Sequence, residues 1–145
     1  MRALGLILET SMLARCALIV LLSAATASAL AKECWALTGL KGHMANSADK
    51  YAFVPDKFTN PMVLCFNEDD TGSVSGDDTK FQRFGTSSLI GFVKNGGIEL
   101  VESYQIDRVS GSVLFSKSRI GTATVLPGAP DVVGAFVGKA TRLAE

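Results

Sequence analysis

The chain has 145 residues, with 14 Lys and Arg balanced by 14 Asp and Glu and a single His, so its formal net charge is zero. Balanced charge without a clustered basic arm excludes nucleic acid and anionic membrane surfaces as partners. Eight Phe, two Tyr and one Trp in a chain that is 48% hydrophobic exclude a disordered protein.

The first segment has the layout of a secretory signal. Arg2 and Arg15 supply positive charge, an apolar run follows from Cys16 to Leu22, and small residues lead into Ala27-Ser28-Ala29-Leu30-Ala31. Cleavage is expected after Ala29 or Ala31, with Met1 or Met12 as the start, so residues 1–31 form the signal and 32–145 a single β-rich domain. The apolar run is well short of the roughly 20 residues that cross a bilayer, and no transmembrane segment is expected in the mature chain. Without Arg2, Arg15 and Glu9 the mature part keeps 12 basic and 13 acidic residues. The expected location is periplasmic or secreted.

Cys16 leaves with the signal, and Cys34 and Cys65 remain as one pair in an oxidising compartment. A structural disulfide is expected; closing about 31 residues contributes roughly 3.7 kcal/mol in the chain-entropy model. The wide spacing does not suit a redox dithiol. Trp35 is expected to pack in the core near this bridge, with ligand stacking as the alternative.

Turn residues recur between short runs rich in Val, Ile, Phe and Tyr, the pattern of an all-β chain. Strands are predicted at 34–40, 51–54, 62–66, 73–75 with 80–84, 87–93, 98–107 and 112–120. Asn95-Gly96 predicts a two-residue turn that sets Val93 opposite Ile98, Gly91 opposite Leu100 and Leu89 opposite Glu102. A four-residue loop from Arg108 to Gly111 predicts Ile106 opposite Val113, Tyr104 opposite Phe115 and Glu102 opposite Lys117. The other face of this meander carries Ile90, Phe92, Val101, Leu114 and Ile120. Val132, Val133, Phe136 and Val137 recur at i, i+1, i+4 and i+5, so a short helix at 131–137 is expected to cover that face. A closing strand at 132–137 is the alternative. The whole reads as an antiparallel β-barrel or sandwich of about seven or eight strands. In architecture it resembles small lipocalin-like barrels, although no motif identifies that family.

Candidate chemistry is sparse. The stretch 67–78 can be aligned with a twelve-residue calcium loop, with Asn67, Asp69, Thr71 and Asp78 as ligands and Gly72 at the sharp turn. An acidic, glycine-rich hairpin loop explains the same residues through turn geometry, and no metal site is assigned. His43 is the only histidine, Gly-x-Ser-x-Gly is absent, and Ser47-Ala48-Asp49-Lys50 matches Ser-x-x-Lys without its companion motifs. No catalytic residue and no cofactor are expected. Glu102, Lys117 and Arg119 share a face with Tyr104, either as an exposed ion pair at a sheet margin or as a polar ligand site near one end of an apolar interior. The expectation is an exported, non-catalytic binding protein. Its partner would be a protein met through a loop within 67–80, as in a hydrolase inhibitor. The alternatives are a small molecule in a lipocalin-like interior, or an enzyme.

Overall fold

The first strand, β1 (Glu33–Asn46), buries Trp35, Leu37, Leu40 and Ala45, and its length decides the architecture. The computed structural model describes residues 32–144; the expected signal segment, its cleavage sites and Cys16 lie outside the described residues. Eight further strands follow: β2 (Val54–Lys57), β3 (Met62–Phe66), β4 (Thr71–Val74), β5 (Asp77–Phe84), β6 (Ser88–Asn95), β7 (Ile98–Asp107), β8 (Ser112–Ile120) and β9 (Val132–Arg142). One short helix, α1 (Thr122–Val125), precedes β9. Neighbouring strands pair in chain order from β3 to β9, and β9 returns to pair with β1, closing an antiparallel eight-stranded barrel. The second half of β1 also takes β2, outside the barrel, through Lys41↔Lys57 to Met44↔Val54. Among the described residues no helix is long and apolar enough to cross a membrane.

Three expectations change here. The segment 131–137 is not a helix: Val132, Gly134, Phe136 and Ala140 are buried while their neighbours are exposed, which is a period of two. A strand there pairs with both β8 and β1, whereas a helix would leave two unpaired edges. The outer face is therefore uncovered, with Phe92, Val101, Leu114 and Ile120 exposed. The β6–β7 turn is Gly96-Gly97, with Asn95 opposite Ile98, so Val93 faces Leu100, Gly91 faces Glu102 and Leu89 faces Tyr104. Both turn positions need positive φ, and two glycines (φ 58° and 94°) supply it at less cost than Asn95 would. The two-residue shift leaves every side chain on its expected face. The expected strand at 51–54 begins only at Val54, because Lys50 and Tyr51 take left-handed conformations.

The β7–β8 hairpin has the predicted register, with Ile106↔Val113, Tyr104↔Phe115 and Glu102↔Lys117, and Gly111 is left-handed (φ 68°). The disulfide joins Cys34 and Cys65 at directly opposed positions of β1 and β3.

Aromatic side chains fill the middle of the barrel. Tyr104 stacks on Phe115 (centroids 4.4 Å), Phe115 on Phe136 (5.6 Å), Phe81 meets Tyr104 edge-on, and Phe58 meets both Phe115 and Phe136 edge-on. Space for these rings comes from glycines on the same face: a Cβ at Gly72 would strike Leu89, and one at Gly91 would strike Thr79 and Phe81. Phe115→Ala should therefore destabilise by about 3–5 kcal/mol in denaturant titrations. Leu114→Ala, one residue away on the exposed face, should cost under about 0.5 kcal/mol.

Candidate functional site

The two ends of the barrel differ in chemistry. At one end, where β1 begins, Glu33 receives Arg108 (2.6 Å) and Arg142 (3.3 Å). The Arg108 guanidinium lies over the Trp35 and Phe66 rings (5.7 and 5.4 Å), and that of Arg83 lies 5.1 Å from the Phe66 centroid. Trp35 belongs to this plug. Its side chain points inward and is buried, while Cys34 beside it faces out.

At the other end the interior row turns polar. Glu102 on β7 is 1% exposed, and Lys117 on β8 reaches its Oε1 at 2.5 Å. Lys117 keeps 31% of its side-chain surface in water. The pair therefore lies inside the barrel rather than at an exposed sheet margin. Asp77, the first residue of β5, lies beside the Glu102 carboxyl. Arg119 lies one step nearer the rim, where its Nη2 donates to Pro130 O at 3.3 Å. Tyr104 lies one step deeper.

The electrostatics follow from that crowding. Burial, then the neighbouring Asp77 carboxyl, push Glu102 up from 4.5 to about 7, against the pull of Lys117. Burial also raises Asp77, but hydrogen bonds from Glu102 and Thr79, with the charge of Lys117, outweigh it and hold Asp77 below its usual range. Burial, and then the charges of Glu102 and Asp77, raise Tyr104. Glu102 Oε2 is buried with no donor directed at it.

The structure thus brings Glu102, Lys117 and Tyr104 together, with Arg119 above them and Trp35 at the opposite end. Asp77 was absent from the predicted group. The sequence places it in an acidic turn, and only the path of β5 carries it to Glu102.

The calcium-loop alignment does not survive as a loop. Asn67–Asp70 form a tight turn, Thr71–Val74 and Asp77–Phe84 are strands, and Asp78 faces solvent. The Thr71 hydroxyl and backbone N–H both donate to Asp69 Oδ1, and Asn67 Nδ2 donates to Thr71 Oγ1. These side chains cap a turn. Among the described residues no group of three or more His, Cys, Asp or Glu is placed to hold a metal ion. His43 lies on β1, exposed, rather than in a connecting loop. No protein-family model matches the chain, and no curated protein matches it either.

Removing Lys117 tests the cluster. Lys117→Met at pH 8 should destabilise by about 2–3 kcal/mol, somewhat less than for a fully buried pair because Lys117 is partly hydrated. Adding Glu102→Gln should restore most of that loss, since no buried charge is then left unpaired. Urea titrations of the single and double variants read both values.

Proposed function

We propose that the chain is an exported, non-catalytic protein-binding module that works through the loop between β1 and β2, in the manner of a hydrolase inhibitor. The carrying observation is a pair of consecutive non-glycine residues, Lys50 (φ 52°) and Tyr51 (φ 60°), held in left-handed conformations. Such strain persists only where the surroundings over-determine it, and it gathers at functional sites.

The loop's hydrogen bonds provide that determination. Asn46 caps Asp49 through Oδ1 (3.0 Å) and donates to its carboxylate (2.8 Å). Tyr51 N–H reaches Asn46 O at 2.8 Å, and Ala52 N–H reaches Asp49 O at 3.0 Å. Ser47 and Asp131 exchange two further bonds, tying the loop to the segment before β9. The result is a rigid loop with Tyr51 54% and Phe53 65% exposed. Aromatic anchors in a pre-organised loop bind with little ordering cost. The expected presenting stretch, 67–80, is instead drawn into β4 and β5. A filled interior gives the lipocalin-like reading less support.

Two variants separate strain from contact. Lys50→Gly should raise stability by about 0.5–1 kcal/mol, because glycine adopts the left-handed region freely. Tyr51→Ser with Phe53→Ser should leave the fold intact. That double variant should also lose the proteins captured from an exported-protein fraction by the immobilised wild type, as identified by mass spectrometry. An unchanged set of captured proteins would refute the loop as the binding site.

A further inference from the structure

We propose that the free edge of β2 is sealed against strand addition by Pro55 and by the Asp56 carboxylate, so that a second copy of this chain cannot pair with it. Among the described residues β2 is the strand outside the barrel, and it is paired on one side alone, to β1. An edge of that kind presents a row of backbone donors and acceptors to any other strand, and self-association follows unless the edge is blunted. This edge begins just after the exposed Tyr51 and Phe53, whose rings add apolar surface beside it.

The phase of the ladder decides which backbone groups face outward. Phe58 N–H donates to Leu40 O at 2.9 Å, so these two residues form a hydrogen-bonded pair. In an antiparallel ladder such pairs alternate with pairs whose N–H and C=O groups point away from each other. Continuing along the same register, Gly42↔Asp56 and Met44↔Val54 are again hydrogen-bonded pairs, while Lys41↔Lys57 and His43↔Pro55 are not. Val54 and Asp56 therefore turn their backbone groups toward β1. Pro55 and Lys57 turn theirs to the open edge.

Neither outward position has a free donor. Pro55 has no N–H, and a sheet tolerates proline where its nitrogen faces away from the neighbouring strand. The Lys57 N–H donates to Asp56 Oδ1, on the preceding residue, at 2.8 Å. An antiparallel second copy laid along this edge draws its ladder donors from Pro55 and Lys57 of both chains. Every such bond then lacks its donor or has to take it from Asp56. The carbonyls of Pro55 and Lys57 alone remain, and they accept from water.

The seal is independent of the function proposed for the loop between β1 and β2. It also separates two ways of meeting that region: side chains can be bound there, while main-chain pairing is blocked. The protein can thus expose aromatic rings beside a strand edge and stay apart from its own copies.

Restoring the donors tests the seal. Pro55→Thr with Asp56→Ala gives residue 55 an N–H and frees that of Lys57. In sedimentation velocity over a concentration series, the double variant should associate at a concentration at least about tenfold lower than the wild type does, the effect of more than one restored hydrogen bond. Amide exchange in the associated form should show new protection at residues 55 and 57. Asp56→Asn, which keeps an acceptor for the Lys57 N–H, should sediment as the wild type does, whereas Asp56→Ala alone should associate more readily. That second comparison decides the matter if the proline replacement folds poorly. Variants with freed donors that sediment like the wild type, or that associate without protection at the freed amides, would overturn the proposal.

Discussion

Closure of the sheet is the constraint on which everything else depends. One strand must offer both edges along its length, and β1 does so: β9 pairs with it from Trp35↔Arg142 to Asn46↔Val132, while β3 and then β2 take the other edge. The irregularity between Thr38 and Lys41, with Gly39 left-handed (φ 61°), lets the strand turn from one partner to the next. A barrel of eight strands has an interior just wide enough to be filled by side chains. That accounts for rings crossing the middle and for glycines at Gly72, Gly91 and Gly134, where a Cβ would meet a side chain already there.

Much of this was legible in the residues, and what was not shares a cause. The β7–β8 register could be read because a local loop and three cross-strand pairs agree on it. The β6–β7 register slipped by two because Asn95-Gly96 and Gly96-Gly97 are both competent turns; the choice lies in two glycines against one. The final strand was obscured by its glycines. Gly134 and Gly138 read as weak points in a helix, yet Gly134 sits close to Phe136 and Gly138 against Leu40, so the missing side chains record a close approach. Of the charged group, Glu102, Lys117 and Tyr104 follow from register alone. Asp77 does not, because its place depends on a break in pairing between β5 and β6 that no local pattern encodes.

Burying Glu102 carries a cost that an apolar residue would avoid, and Lys117 offsets only part of it. A buried ion pair rarely stabilises relative to well-packed apolar residues. Its raised carboxyl, Glu102, sits at the mouth of the barrel rather than among the aromatic rings of the middle. The polar row also fixes which side chains fill that end, since a one-step slip of β8 would carry Lys117 out of the interior and leave Glu102 alone.

The distribution of costs along the barrel axis is uneven. Around the start of β1, the disulfide, the Glu33–Arg108–Arg142 bridges and the guanidinium–ring contacts all relieve strain or satisfy charge. At the opposite end sit the left-handed Lys50 and Tyr51, the crowded acids Asp77 and Glu102, and a buried Thr122 hydroxyl and Arg119 Nε without partners, while the braced end carries a left-handed Asp70 and unpartnered Trp35 Nε1 and Arg83 Nη1 of its own. Departures from local consistency of this kind gather where a protein does something other than fold. Such departures persist only when the rest of the domain is stable enough to carry them. The braced end supplies that stability through a closed sheet that transmits it from strand to strand.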